Sequence, residues 1–112
     1  MIYMTEEAKV EEIKIIKSVI IPEICTWIDD EGTGYDIEVT LPGVEKDKIK
    51  LKMLDDGFFV EGETDTVRYS GTYDVCCPID SVNAKASYKN GLLKIHVPFM
   101  DILKDAVEVN IE

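Results

Sequence analysis

Apolar residues occupy every second position through most of the chain from Pro22 onward, and this period constrains the fold more than any other feature of the sequence. The clearest alternating row is Tyr35, Ile37, Val39 and Leu41. Because successive side chains of a β-strand point to opposite faces, such a row buries its apolar members and leaves the intervening polar residues in water. An amphipathic helix would need a period of about 3.6 residues, so the sequence predicts a chain built mainly of half-buried strands.

Turn residues separate the alternating rows and indicate hairpins. Asp55-Asp56-Gly57 lies between the apolar rows of residues 49–53 and 58–60, which predicts one hairpin. Asn90-Gly91 favours a type I′ turn, because both central residues of that turn need a positive φ. The strand before Asn90 is therefore predicted to fold back into residues 92–97.

A last alternating row follows near the C-terminus, and it consists of Val107, Val109 and Ile111. About seven short strands separated by turns are typical of an antiparallel β-sandwich with little helix. The exception is at the start, where residues 5–18 are predicted to form a helix. The apolar residues of this segment also allow a strand, and they are Ile13, Ile15, Ile16 and Val19. Thr5 could cap that helix, and Lys14 and Lys17 would lie near its C-terminal end, as the helix dipole favours.

The length and the charge of the chain limit its organisation and its partners. Its 112 residues suffice for one domain, and we predict an N-terminal arm (1–21), a domain (22–98) and a C-terminal extension (99–112). With 12 basic and 23 acidic residues the net charge is −11, which disfavours nucleic acid and anionic membranes as partners. The first residues do not combine a basic segment with an apolar run, so we expect a cytoplasmic protein.

The three cysteines, Cys25, Cys76 and Cys77, are an odd number, which argues against a framework of disulfides. Cysteine is among the most frequently buried residue types, so all three are predicted to pack in the interior. A minor alternative is a metal- or thiol-dependent enzyme that uses Cys76, Cys77 and His96. Their spacing does not bring these ligands together locally, which favours packing.

Other patterns for catalysis or metal binding are weak. Asp29-Asp30-Glu31 and Asp55-Asp56 offer oxygen ligands for Ca²⁺, but they lack the spacing of a closed binding loop and favour solvated turns. The sequence contains neither a Gly-x-Ser-x-Gly element nor a glycine-rich phosphate loop, and it has a single histidine. It therefore predicts a binding protein rather than an enzyme, with no cofactor and no metal.

Two segments resemble the α-crystallin domain of small heat shock proteins. Residues 35–51 match the family's strand, Leu-Pro-Gly turn and following strand, with Leu41-Pro42-Gly43 as the turn. Residues 86–98 match the family's Ala-x-x-x-x-Gly-x-Leu signature and the strand that continues it. The signature positions are Ala86, Gly91 and Leu93. The resemblance implies an immunoglobulin-like antiparallel β-sandwich of the α-crystallin type for residues 22–98.

The residues of both motifs have physical reasons of their own. Pro42 cannot donate a hydrogen bond to a ladder and Gly43 accepts an unusual φ, so a strand ends there and the chain can cross to another sheet. Gly91 supplies a positive φ, and Leu93 fills the core behind the turn. The small side chain of Ala86 is expected where a neighbouring strand or sheet approaches closely.

The resemblance also implies a function. Small heat shock proteins are ATP-independent chaperones, so we expect the chain to bind exposed apolar segments of partly unfolded clients, and to self-associate as a dimer or small oligomer. In the family a C-terminal segment docks in an apolar groove. The resemblance assigns the groove to Leu51, Met53, Ala84 and Ala86, and the docking tail to Val107, Val109 and Ile111. The competing expectation is that residues 106–111 add a permanent strand to their own sheet.

Two features depart from the family pattern. Bacterial, archaeal and plant members carry a long loop whose extra strand swaps into a partner, whereas only Thr64–Gly71 separates the flanking strands here. The arm before Pro22 is also short. With Trp27 ahead of an acidic turn, these features resemble the related CS-type co-chaperone domain. An adaptor that docks on a folded chaperone partner is therefore the alternative function.

Overall fold

A computed structural model describes residues 17–101 and 103–112 of the chain, and within them eight strands form two sheets of four strands each. The strands are β1 (Ser18–Ile20), β2 (Glu23–Ile28), β3 (Gly34–Thr40), β4 (Ile49–Leu54), β5 (Gly57–Glu63), β6 (Val67–Asp74), β7 (Lys85–Lys89) and β8 (Leu92–Pro98). Two short 3₁₀ turns, Lys46–Lys48 and Ser81–Asn83, precede β4 and β7. The predicted predominance of strands is confirmed.

The two sheets have the strand orders β1-β6-β5-β4 and β2-β3-β8-β7. All neighbouring strands are antiparallel except β1 and β6, which are parallel. The sheets pack face to face around a core of apolar side chains. Its buried members are Tyr35, Ile37, Val39, Leu41, Val44, Phe58, Val60, Ile79, Leu93, Ile95 and Val97. The row of β3 that the sequence assigned to the core is buried throughout, and Leu93 lies in the core as predicted.

The chain crosses from one sheet to the other at Leu41-Pro42-Gly43. Leu41 is fully buried, and Gly43 has a φ of 78°, which is a conformation that favours glycine. The backbone N–H of Leu41 donates to the carbonyl of Gly91 at 2.8 Å, so the crossing is tied to the β7–β8 hairpin. The two segments that resemble small heat shock proteins are therefore in direct contact with each other.

The β7–β8 hairpin has the predicted turn. Asn90 has a φ of 51° and Gly91 a φ of 80°, so both central residues are in the left-handed region, as a type I′ turn requires. A Cβ atom on Gly91 would lie 3.4 Å from the Cα of Pro42, which is the point where the chain crosses between the sheets. The β4–β5 hairpin around Asp55-Asp56-Gly57 is present as well.

One local prediction and one competing expectation differ from the structure, and a further prediction lies mostly outside the described residues. The strand expected from Thr72 begins at Val67, so the connection from β5 is the short turn 64–66 rather than Thr64–Gly71. Residues 106–112 have no strand, although their apolar residues alternate. Most of the helix predicted over residues 5–18 lies outside the described residues, and its last residue belongs to β1.

We predict that Gly91→Val lowers the free energy of unfolding by more than about 1 kcal/mol, because a β-branched side chain is strained at a φ of 80°. Urea denaturation measures this loss. Lys89→Val is the matched control, since it places the same side chain at an exposed position with ordinary strand geometry. Equal stability of the two variants would contradict the turn assignment.

Candidate docking groove

The candidate site lies where an edge strand of one sheet faces an edge strand of the other. β4 ends the order of the first sheet and β7 ends the order of the second, so each has one side without a neighbouring strand in the described residues. The backbone groups along such an edge can pair with an added strand. The gap between β4 and β7 is therefore the place where an extended segment could bind by both its backbone and its side chains.

Apolar side chains line this gap. A hollow of about 350 Å³ is lined by all four residues that the sequence assigned to a groove, which are Leu51, Met53, Ala84 and Ala86. A second hollow of about 160 Å³ shares Leu51 and Ala86 with the first and extends past Ile49 toward Leu93. We call the two hollows together the β4/β7 groove. The structure thus brings the four predicted side chains to one surface, and their role in binding remains a proposal.

Sequence reasoning missed one part of the groove wall. Val82 lines the larger hollow and is 90% exposed. It belongs to the 3₁₀ turn before β7, where the alternating period of the strands does not apply. The sequence offered one signal, a valine isolated between the polar residues Ser81 and Asn83, but a single apolar residue does not form the alternating pattern of a strand.

Tyr88 fixes one end of the groove. Its hydroxyl lies 2.8 Å from the carbonyl oxygen of Leu41 and 2.6 Å from that of Val44, and it donates to this pair of acceptors. Burial raises the pKa of Tyr88, so the hydroxyl keeps its proton at neutral pH. This contact joins β7 to the crossing segment that leads into β4, and it holds the two walls of the groove in place.

The C-terminal tail lies outside both sheets. Val107, Val109 and Ile111 are 84%, 78% and 93% exposed, so the tail is not a permanent strand of its own sheet and that competing expectation is wrong. The tail leaves the sandwich at Phe99, which forms an isolated bridge with Ile79. Because β8 is antiparallel to β7, this exit lies at the end of the groove where β7 begins.

Basic side chains flank the groove. Lys85 lines the larger hollow and Lys46 lines the smaller one. Lys50 and Lys52 are exposed on the opposite face of β4. They stand out because the chain as a whole carries a net charge of −11. An extended segment with alternating apolar and acidic residues would match both the apolar floor and the basic side chains of Lys46 and Lys85.

The cysteines do not pack in the core. Cys25, Cys76 and Cys77 are all free and exposed, so the prediction that they are interior residues is wrong. The reason is local: Cys25 lies on the outer face of β2, and the chain bends after β6 so that the other two leave the sheet.

The structure also does not gather Cys76, Cys77 and His96 into one site. The imidazole Nδ1 of His96 lies 2.8 Å from the carboxylate of Asp36 on the outer face of its sheet. Cys76 instead contacts the hydroxyl of Tyr35, a residue on the inner face. Within residues 17–101 and 103–112, no three His, Cys, Asp or Glu side chains lie together in a way that could hold a metal ion.

The predicted acidic turn at Asp29 is stabilised by its own neighbours. The carboxylate of Asp29 accepts hydrogen bonds from the backbone N–H and the hydroxyl of Thr33, at 2.8 Å and 2.9 Å. The backbone bond of Thr33 is the main reason that the pKa of Asp29 is lowered. Both oxygens of this carboxylate are thus used within the turn.

Comparisons with known proteins agree with this architecture. No family model matches the chain. The probable 15 kDa heat shock protein of Leptospira interrogans is 25% identical over 122 residues, which span 96% of this chain and 89% of that protein. Heat shock protein 16.0 of Schizosaccharomyces pombe has a TM-score of 0.62 at 19% identity, covering 83% of this chain and 99% of that one. HSP18.5 of E. histolytica has a TM-score of 0.61 at 20% identity, covering 83% and 98%.

These likenesses establish the fold. The chain has the α-crystallin β-sandwich of small heat shock proteins, and the resemblance seen in its two motifs is confirmed at the level of structure. A small heat shock protein of Xylella fastidiosa shares the fold with a TM-score of 0.63 at 14% identity, covering 83% of this chain and 97% of that one. No helix in the described part of the chain has the length and apolar character needed to cross a membrane.

We predict that Tyr88→Phe lowers the free energy of unfolding by about 1 to 2 kcal/mol, because two main-chain carbonyls lose their side-chain donor. Tyr73→Phe is the control, since the hydroxyl of Tyr73 contacts the hydroxyl of Thr26, which can turn toward water. Urea denaturation of both variants measures the difference. A loss for Tyr88→Phe no larger than that for Tyr73→Phe would show that Tyr88 does not anchor the groove.

Proposed function

We propose that this protein is an ATP-independent holdase of the small heat shock protein type, which binds exposed apolar segments of partly unfolded proteins and slows their aggregation. The observation that carries the proposal is the β4/β7 groove, an apolar surface between two unpaired strand edges. The α-crystallin fold and the similarity to a probable heat shock protein support it. Holding a client needs no chemical step, and we propose that the protein does so in the cytoplasm.

The groove suits a client segment in extended conformation. An unfolding protein exposes strands whose apolar residues alternate, and such a strand can add to a free edge while its side chains enter the hollow. Burying one large apolar side chain contributes about 1.5 to 3 kcal/mol, which is offset in part by the cost of ordering the segment. Binding of this strength is reversible, so a client can be released to refold.

The tail is a competitor for the same groove in this proposal. Val107 and Val109 have the spacing that points both side chains to one face of an extended segment. Asp105, Glu108 and Glu112 place acidic groups along the tail, and the basic side chains of Lys46 and Lys85 line the groove. Residues 99–106 span at most about 26 to 29 Å when extended, so the tail can turn back to the start of β7 or reach a second molecule.

We propose that the protein self-associates through this tail rather than through an exchanged strand. β6 pairs with β5 of its own chain from Arg68 to Asp74, and the turn between the two strands comprises only residues 64–66. A strand held in this way is not free to leave for a partner. A tail bound in the groove of another copy would give a dimer or small oligomer whose mass depends on concentration.

We predict that Ala86→Asp abolishes most of the suppression of aggregation. Residue 86 is exposed in the free groove, so the carboxylate would lose its water only when an apolar client segment binds over it, and that loss opposes binding. Thr72→Asp is the control, since it adds the same charge at an exposed position on β6 away from the groove. The assay is light scattering of a thermally unfolding client at equal molar ratio without ATP. The fold of both variants is checked by circular dichroism.

Three results would contradict the holdase proposal. The unaltered protein could fail to suppress the aggregation of unrelated clients, or Ala86→Asp could suppress it as well as Thr72→Asp does. Tight binding to a single folded chaperone partner, without effect on unfolded clients, would favour the CS-like adaptor instead. Each result is distinct, because the first two are read from scattering and the third from a binding measurement.

We predict that Val109→Asp reduces the mass of the assembly and leaves the domain intact, because it places a charge on the face of the tail that enters the groove. Solution mass and hydrogen exchange of β3 and β8 measure the two effects. Lys104→Asp is the control, since it adds acidic charge to the extension outside the alternating row. An unchanged mass for Val109→Asp at concentrations where the unaltered protein associates would show that this tail does not mediate assembly.

A further inference from the structure

Cys76 and Cys77 form an exposed pair of thiols with a defined geometry. Their Sγ atoms lie 3.2 Å apart, and both side chains are exposed where the chain bends after β6. The Sγ of Cys76 also lies 3.0 Å from the hydroxyl of Tyr35. One thiol of the pair thus has a hydrogen-bond donor that the other lacks at this distance.

Tyr35 is held rigidly behind this pair. The residue is only 7% exposed, and its ring meets the ring of Phe99 edge to face, with centroids 5.0 Å apart and an angle of 79°. The hydroxyl is therefore aimed at Cys76 by the packing of the core. The hydrogen bond that it donates lowers the pKa of Cys76, and the thiol of Cys77 adds to this effect. The contact between the two thiols has the opposite effect on Cys77: it raises the pKa of Cys77, so this thiol keeps its proton.

This arrangement separates two chemical roles. The thiolate is the form of cysteine that attacks peroxides. A cysteine therefore reacts faster at neutral pH when it is exposed and when a hydrogen-bond donor enlarges its ionised fraction. A neighbouring thiol within reach can then displace the oxidised sulfur and prevent further oxidation. Cys76 has the first set of properties, and Cys77 is positioned for the second.

We propose that Cys76 and Cys77 are a hydroperoxide-sensitive dithiol, in which Cys76 is oxidised first and Cys77 closes a disulfide with it. The thiolate sulfur of Cys76 attacks the terminal oxygen of the hydroperoxide; an S–O bond forms, the O–O bond breaks, and the departing alkoxide or hydroxide takes a proton from water. Cys77 then loses its proton, its sulfur attacks the sulfur of Cys76, and an S–S bond replaces the S–O bond as water leaves. Two thiols give up two electrons, and the hydroperoxide becomes an alcohol and water.

The oxidation reaches the root of the tail through short contacts. Residues 78–80 follow the thiol pair directly, and they are hydrogen-bonded to the segment where the tail begins. The backbone N–H of Asp80 donates to the carbonyl of Pro98 at 2.8 Å, and that of Met100 donates to the carbonyl of Pro78 at 3.0 Å. A disulfide also removes the thiolate that Tyr35 faces, and Tyr35 packs on Phe99. Oxidation therefore loosens the segment from Pro98 to Met100.

The test uses the full chain, treated with hydrogen peroxide and mapped by mass spectrometry after alkylation of the remaining thiols. The expected result is a peptide carrying both Cys76 and Cys77 that has lost two hydrogen atoms, with Cys25 still reduced. Cys25 is the internal control, because it is equally free and exposed but lies on β2 away from the pair. Hydrogen exchange at the backbone amides of Asp80 and Met100 is expected to speed up on oxidation and to return to its original rate on reduction.

Two variants test the separate roles. Cys77→Ser is expected to stop at the sulfenic acid of Cys76, which dimedone traps. Tyr35→Phe keeps the ring against Phe99, and it is expected to move the pH profile of Cys76 alkylation to higher pH and to slow the reaction several-fold at neutral pH. An unchanged pH profile of Cys76 alkylation in a folded Tyr35→Phe protein would show that the hydroxyl of Tyr35 does not activate Cys76. Oxidation of Cys25 at the same rate, or a disulfide only between chains, would overturn the proposal. None of these results depends on holdase activity.

Discussion

The crossing of the chain from β3 toward β4 determines how the two sheets face each other. Leu41 is fully buried there, and its N–H donates to the carbonyl of Gly91 at the tip of the β7–β8 hairpin. Tyr88 on β7 donates to the carbonyls on either side of Pro42-Gly43. The same few contacts therefore hold the hairpin against the crossing and set the distance between β7 and β4, which is the width of the groove.

An exposed strand edge is a hazard as well as a binding surface, because it can pair with another copy of the chain. Charged residues, lysine above all, are one of the ways in which natural sheets limit such pairing. Lys50 and Lys52 on β4 and Lys85 and Lys89 on β7 have this position. They repel a second basic edge, while in the proposed function Lys46 and Lys85, which line the hollows, attract the acidic tail.

The sequence predicted those parts of the fold in which the local pattern and the tertiary contacts agree. The row from Tyr35 to Leu41 alternates because one face of the sheet is buried. Asn90 and Gly91 both have the positive φ that a type I′ turn requires. It did not predict the start of β6, because Gly71 interrupts the row of Val67, Tyr69 and Tyr73, and a glycine carries no side chain to mark its face. A Cβ at Gly71 would lie 3.3 Å from the ring of Pro22, so that gap reflects a tertiary contact that the pattern cannot encode.

The predicted burial of the cysteines and the competing expectation of a permanent C-terminal strand fail for different physical reasons. Burial of a cysteine is a tendency of the residue type, whereas Cys76 and Cys77 are exposed because the chain must bend after β6 to reach Ile79 in the core. The tail alternates like a strand, but alternation only makes a segment able to pair, and a strand forms only where an edge receives it. The free edges of the described sandwich are those of β2, β1, β4 and β7, and an apolar hollow lies between β4 and β7. A segment that has strand periodicity and no strand in its own sheet therefore suits the proposed docking at that groove.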